Sequence, residues 1–363
     1  MKIERKKNMM KSTVDYRRFE VFCESVCLKY GIQPEPARIT AHMLVRTDML
    51  GIFTHGTYSL KAYLDKIGAG GIDANALPEV VYEGVSWAIV DGHNGIAPYN
   101  NYYGLGMALR KAKEAGVAYV CIRGSGHYGA PGIYAIEAAE QGMLAIVMSN
   151  TPKNMTAPGT CGDTCGNNPI AYGVPCADRR PIFMDIGLST VNGTKIKRVL
   201  DSGATELPLG WIVDGKGKPT TDATITDWHM APMAGHKGFC ISMLVDILSA
   251  VVSGGGLMYE TKLWRAPATV PDTSHAIILL NVAQIIGLDN FKKRMKLVAD
   301  DFLASPKADG VEKLYLPGDK EWAHYEHVLK NGLELPEDIF KQMIEMAEIT
   351  GEDFDSCIVS SQE

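Results

Sequence analysis

Residues 116–150, GVAYVCIRGSGHYGAPGIYAIEAAEQGMLAIVMSN, constrain the fold more than any other stretch of the chain. Residues 117–122 are a short apolar run with β-branched members, the pattern of a buried strand. Gly124, Gly126, Gly129 and Gly132 then crowd a single turn. Pro131 is suited to a first helical position and introduces a helical pattern over 133–140, which Gly142 stops. Residues 143–148 read as a second buried strand. Strand, glycine turn, helix and strand make a βαβ-like unit that holds His127 at the tip of its turn.

The turn spells G-x-G-x-x-G as Gly124-Ser125-Gly126-His127-Tyr128-Gly129. Glycines at that spacing let a backbone approach a pyrophosphate at a helix N-terminus. A Rossmann site also needs an acid about 20 residues on, to hold the ribose. The second strand ends instead at Ser149-Asn150, and an imidazole at the tip is an odd choice for a loop that hugs phosphate. The turn is therefore read as presenting His127.

The chain has 363 residues, 46% hydrophobic and 21% charged, enough for one large or two moderate globular domains. A net charge of −6 argues against a nucleic-acid or anionic-membrane partner. The basic N-terminal run over 2–7 lacks the apolar core of a signal peptide, so a reducing cytoplasm is the expected location. Eight cysteines are scattered. Cys121 and Cys240 sit in apolar runs as small hydrophobes. Cys161 and Cys165 can approach each other, but no second pair at zinc spacing follows, so no metal site is expected. The long apolar run over 239–252 carries Asp246 and ends at Gly254-Gly255-Gly256, too short for a bilayer; a buried helix is expected.

In chain order, helical spacing recurs over 13–30, 36–50 and 58–67. From Val80 the texture changes. Strands are expected at 87–90, 171–174, 182–184, 211–213 and 276–282, a helix at 105–115, and a helical tail at 335–349.

A set of short segments then falls in one order: Phe53-Thr-His-Gly56, Asp91-Gly-His-Asn-Gly95, Gly124-Ser-Gly-His-Tyr-Gly129, Asn167-Asn-Pro-Ile170, Asp185, Gly193-Thr-Lys195, Gly210-Trp211, Pro219-Thr-Thr-Asp222 and Gly235-His-Lys-Gly238. Together they resemble the malate/L-lactate dehydrogenase family that is unrelated to the Rossmann enzymes of those names. That family includes sulfolactate and ureidoglycolate dehydrogenases and diketogulonate reductases. The resemblance covers about residues 15 to 345. It implies an α/β, non-Rossmann, sulfolactate-dehydrogenase-like fold: a helical domain from both chain ends (1–78 and 325–363) beside a central α/β domain (79–324) on a large mixed sheet. It further implies NAD-dependent oxidation of a small 2-hydroxy acid, malate or lactate first, with NADP as the other cofactor, in a homodimer.

Such chemistry needs a base for the hydroxyl proton, and histidine suits it because its pKa lies near neutrality. His55 and His127 both stand on glycine-flanked turns, and the resemblance assigns a catalytic histidine to one or the other. The expectation is that they approach one cleft from opposite walls. His93 reads as structural. For the cofactor, the resemblance points to Pro181, Ile182, Phe183, Met184, Asp185, Ile186 and Gly187, to His236 and Lys237 ahead of a helix starting near Gly238, and to Gly318, Asp319 and Lys320. For the substrate it points to Ser59, Thr151 and Lys153. Family members often carry an arginine where this chain has Ser59, so Lys153, Lys195 or Arg46 is expected to hold the substrate carboxylate instead. The alternatives are a reductase of a bulkier 2-oxo acid or cyclic imine acid, and a cofactor-binding protein without turnover.

Overall fold

A computed structural model describes residues 13–359; the basic N-terminal run lies outside them. Chain order is β1 (Thr13–Val14), α1 (Tyr16–Lys29), α2 (Pro34–Met49), a 3₁₀ turn (Thr57–Ser59), α3 (Leu60–Gly68), β2 (Glu79–Glu83), β3 (Trp87–Asp91), α4 (Ala97–Ala115), β4 (Val117–Ser125), α5 (Pro131–Glu140) and β5 (Met143–Ser149). Then come β6 (Ile170–Val174), β7 (Ile182–Ile186), α6 (Gly193–Asp201), β8 (Ile212–Asp214), β9 (Pro219–Thr220), β10 (Trp228–Met230) and α7 (His236–Asp246), which continues as a π-turn (Ile247–Val251). The chain closes with β11 (Thr273–Asn281), α8 (Val282–Ile286), α9 (Leu288–Leu303), α10 (Asp319–Asn331), β12 (Leu333–Glu334) and α11 (Glu337–Thr350).

Seven strands form one mixed sheet in the order β2-β3-β4-β11-β5-β6-β7. Only β3 and β4 run parallel as neighbours. The βαβ-like reading needs correction here: β4 and β5 do not pair, because β11 lies between them, antiparallel to both. Alternation sorts the side chains of these central strands. Val120, Ile122, Ala145, Val147, Ile277 and Leu279 face α4 and α5. Cys121, Met148 and Ala276 face α7 through Val245. The sheet is thus covered on both faces, as its continuous apolar strands require.

Helix α4 begins at Ala97, eight residues before the expected start. Residues 97–104 look too polar for a core helix, yet Asn100 and Asn101 are fully buried, donating to the Gly92 and Ala97 carbonyls. Helices from both chain ends share one apolar cluster, in which Phe19, Leu44 and Tyr63 meet Val328, Phe340 and Met343. The expected boundary at 78 falls just before β2, while that at 325 falls inside α10. A small three-stranded sheet, β10-β8-β9, packs with α6 around Ile196, Ile212 and Met230.

The expected buried helix at 239–252 is also corrected. Gly238, Ser242, Val245 and Asp246 face the sheet, while Ile241, Met243, Leu244, Ile247, Val251 and Val252 are exposed, as is Cys240. The small side chains let the helix sit close to the sheet and turn its bulky apolar side outward. Among the described residues no helix is long and apolar enough to cross a membrane.

A charged network ties α1 and α2 to α5. His42 lies between Glu20 (3.1 Å) and Glu137 (3.8 Å), and Arg46 pairs with Glu137 and Glu140. Hydrogen bonds to Glu137 and Glu20 raise the His42 pKa from 6.5 to about 9, against burial. A raised folded-state pKa gives stability that is complete below 6.5 and lost as pH rises through about 9. The pair is half-exposed, so screening reduces its worth to about 1 kcal/mol. Denaturant midpoints measured from pH 6.5 to 9.5 should therefore fall more in the wild type than in His42→Ala; equal slopes would contradict this.

Candidate active site

Strand β4 delivers the chain to Gly126-His127-Tyr128-Gly129, and α5 restarts it at Pro131. Gly129 has φ +87°, and a Cβ there would lie 3.0 Å from the His55 carbonyl oxygen. The glycine thus lets two loops touch, one from the end of a sheet strand and one from the end of α2. Tyr128 is buried against His275 (ring centroids 4.3 Å), which leaves His127 facing the other way, half-buried.

The His55 loop is clamped from below. Asp48, in the last turn of α2, is fully buried and accepts hydrogen bonds from the Thr57 backbone N–H (3.1 Å) and hydroxyl. A Cβ at Gly56 would fall inside the Asp48 carboxyl group, 2.5 Å from its Cγ. Burial raises the Asp48 pKa to about 8 against those two bonds. Thr54 Oγ1 lies 2.9 Å from His55 Nδ1, leaving Nε2 to face the cleft.

The two imidazoles meet as the sequence leads one to expect. Their centroids are 5.7 Å apart with planes inclined at 27°. Tyr63 Oη lies 2.6 Å from His127 Nδ1, and Trp264 stacks flat on the His127 ring at 4.1 Å and 13°. Burial, then the Arg265 charge, lowers the His55 pKa. His127 is pushed well below 6.5 by burial, by His55, and by Arg265 and His275. Burial pushes the Tyr63 phenol up, so it keeps its proton. Both rings are neutral at pH 7. Either can take a proton from a bound hydroxyl, and once charged it is a strong acid.

The expected cofactor residues gather around β7. Residues 181–183 are buried and 184–187 half-buried. Gly318 packs on Phe183, a Cβ there falling 2.5 Å from the ring, and the Pro317 carbonyl accepts from the Phe183 N–H (3.4 Å). Met233 N–H donates to the Leu188 carbonyl (2.8 Å), which brings the start of α7 to the end of β7. His236 and Lys237 are exposed and are the first two residues of α7, not residues ahead of it. Asp185 accepts from Gly132 N–H at the start of α5 (2.7 Å), and burial raises its pKa to about 7. Asp319 is held by Arg179 and by the Leu316 N–H, and the Lys320 ammonium lies 5.0 Å from the Tyr315 ring centroid.

These residues fit a dinucleotide. The N-termini of α7 and α10 carry no side-chain cap; the Gly238 N–H is taken by the Met233 carbonyl and the Asp319 N–H by the Leu316 carbonyl, which leaves the N–H groups of 236–237 and 320–321 for a diphosphate. No group of three potential metal ligands occurs among the described residues.

The expected substrate residues fare differently. Ser59 is fully buried, with its hydroxyl against the Tyr63 phenol, so it lies beneath the cleft. Thr151 bonds Asn168 through its N–H (2.9 Å) and meets Asn167 and Asn168 through its hydroxyl. Lys153 is exposed. Arg46 cannot hold a substrate carboxylate, because Glu137 and Glu140 already occupy it. Lys195 lies 5.1 Å from the Trp211 ring, beside the small sheet. His93 pairs with Glu79 in an exposed turn.

Four residues around the histidines have no counterpart in the sequence reading: Tyr63, Lys66, Trp264 and Arg265. Tyr63 reads as an ordinary apolar helix position. Trp264-Arg265 lies in an aperiodic loop whose place only the fold reveals. Lys66 is fully buried and donates to the carbonyls of Ala266 (2.6 Å) and Thr269, so it ties that loop to α3. The tie is what places Trp264 over His127.

The chain is similar to known proteins over nearly its whole length. The family model for malate/L-lactate dehydrogenase matches residues 14–344. A malate dehydrogenase from Pyrococcus horikoshii is 31% identical over 91% of this chain and 93% of its own. A Delta(1)-pyrroline-2-carboxylate/Delta(1)-piperideine-2-carboxylate reductase from Pseudomonas syringae pv. tomato is 28% identical over 92% and 96%. The solved sulfolactate dehydrogenase from Methanocaldococcus jannaschii superposes with a TM-score of 0.88 at 26% identity, over 95% of this chain and 99% of that one. With the mixed sheet, the helices from both chain ends and the paired histidine loops in place, the chain belongs to the malate/L-lactate dehydrogenase family.

Proposed function

We propose that the chain is a nicotinamide-dependent oxidoreductase of small 2-hydroxy and 2-oxo acids, malate or lactate first, using NAD, with NADP as the other cofactor. The observation that carries this is the pair of neutral imidazoles 5.7 Å apart, one backed by a protonated tyrosine. Bound nicotinamide supplies or accepts the hydride at the substrate C2. His127 is the acid/base: Tyr63 at Nδ1 fixes its ring, so Nε2 faces the substrate oxygen. In oxidation the neutral ring takes the hydroxyl proton as the hydride leaves. In reduction the imidazolium returns it to the oxo group. His55, braced by Thr54, aligns that oxygen. Trp264 walls the site and excludes water. A flat aromatic wall also suits a cyclic imine acid, the second reading.

Absorbance at 340 nm with both reduced cofactors over a panel of 2-oxo acids and cyclic imine acids tests the proposal. Turnover of at least one acid is expected; none across the panel would contradict it. Lys237, exposed in the first turn of α7, is proposed to meet a cofactor phosphate or ribose. A charge-assisted bond is worth about 1.5–3 kcal/mol, so Lys237→Ala should weaken reduced-cofactor binding at least about tenfold. An unchanged dissociation constant would remove Lys237 from the site.

The exposed side of α7 is proposed to be covered by a second copy in a homodimer: Ile241, Leu244, Ile247 and Val251 make an apolar stripe of the kind that marks an interface. Sedimentation should give twice the chain mass, and a monomer at micromolar concentration would overturn this. All eight cysteines are free thiols, which suits a reducing cytoplasm.

A further inference from the structure

The reaction needs a cation beside the histidines, because the substrate carboxylate sits one bond from the carbon that exchanges hydride. Ser59 cannot supply it and Arg46 is occupied. We infer that Arg265 is the substrate-carboxylate clamp of this chain, displayed by a loop that Lys66 locks onto α3; the inference rests on the oxidoreductase reading above.

Arg265 follows Trp264, whose ring lies flat on His127. Its guanidinium carbon sits 4.6 Å from the Trp264 ring centroid and 5.1 Å from that of Tyr58, and Nη1 lies 3.5 Å from Tyr58 Oη. Two aromatic faces therefore hold the guanidinium plane, and with Nη1 turned to Tyr58 the Nε and Nη2 edge is left for a carboxylate. Arg265 forms no ion pair among the described residues, although acids pair with Arg46, Arg123, Arg179 and Arg180. Its charge is felt by His55, His127 and Tyr63 alike, which places it within reach of the whole proton-transfer group.

The loop is built to stay in register. The buried Lys66 ammonium has only carbonyl partners, Ala266 and Thr269 with Pro267 more distant at 3.5 Å. Opposite it, a Cβ on Gly71 would run into the Pro267 carbonyl oxygen, so chain and loop touch backbone to backbone. Lys66 is a positioning residue; Arg265 makes the contact. A clamp carried on a loop rather than on a helix lets substrate size be set by 263–269 without disturbing the histidines.

Arg265 is exposed, so Arg265→Gln should fold; a thermal melt verifies it. The best acid of the 2-oxo acid panel and its primary amide are compared in wild type, Arg265→Gln and Arg265→Lys. The expected result is a KM for the acid about 10²-fold higher in Arg265→Gln, with reduced-cofactor affinity unchanged. The preference for acid over amide should collapse, free guanidinium ion should restore part of it, and Arg265→Lys should fall between because it lacks the fork. A wild-type enzyme that turns over, beside an Arg265→Gln enzyme with unchanged KM and acid-over-amide preference, overturns the clamp and leaves the oxidoreductase reading standing. A wild type that reduces no acid on the panel overturns both.

Discussion

Replacing His127 by glutamine should lower turnover by about 10²–10⁴-fold while the protein stays folded. Glutamine keeps a polar group near Tyr63 but cannot shuttle a proton. Cofactor affinity should not change, because His127 makes no hydrogen bond to the residues around β7 among those described. The pH profile carries the second half of this prediction. The His127 pKa is held well below 6.5 by burial first, then by the neighbouring His55, the Arg265 charge and His275. Oxidation requires the neutral ring, so its rate should stay level through pH 6.5 and fall only in more acidic solution. An acid limb centred at or above 6.5 would mean that the ring is not held in this environment. Near-normal turnover in His127→Gln would remove it from the chemistry.

Gly56→Ala is expected to have the next largest effect, although the residue touches no substrate. The added methyl would collide with the Asp48 carboxyl group, which holds Thr57 in place. Either the acid or the loop must move. Overpacking of this kind costs about 1–3 kcal/mol of stability, and His55 sits on the loop that moves. A displacement of about 1 Å at a reacting group can lower the rate about 10²-fold. The variant should therefore melt earlier and turn over about 10²-fold more slowly. Removing the acid tests the cause: in Asp48→Ala/Gly56→Ala the two effects should fall well short of additive. Asp48→Asn should be mild, because the Asp48 pKa of about 8 makes its carboxyl largely protonated at pH 7. Full activity in Gly56→Ala, or strict additivity, would show that the clamp does not set His55.

The sequence made the local parts of this account legible and left the long-range ones hidden. The apolar runs of β4 and β5 and the turn between them are visible because burial on both faces leaves a continuous signature. That β11 separates them is not, since a pairing partner about 125–165 residues away leaves no local mark. His55 and His127 stand out because glycines flank them, and Gly129 explains why: its missing side chain is what lets their loops meet. Tyr63 is hidden by its apolar neighbours on α3, and Trp264 and Arg265 by a loop without periodicity. The apolar run over 239–252 misleads for a physical reason. Composition cannot distinguish a helix buried in its own chain from one whose bulky side faces outward, and only the small residues Gly238 and Ser242 hint at which side meets the sheet. Arg46 misleads too, as its partners Glu137 and Glu140 lie about 90 residues away.

The central claim, that hydride passes between a nicotinamide and the substrate C2 beside His127, is tested most directly by isotope transfer. Reduced cofactor carrying deuterium on one face of C4 is incubated with the wild type and the best acid of the panel, and the product is analysed by mass spectrometry. With one labelled face, the 2-hydroxy product should carry a single deuterium at C2, and with the other none. His127→Gln should deliver the same label to the same carbon about 10²-fold or more slowly. A product that lacks deuterium at C2 with either face, or a His127→Gln enzyme as fast as the wild type, would contradict the account.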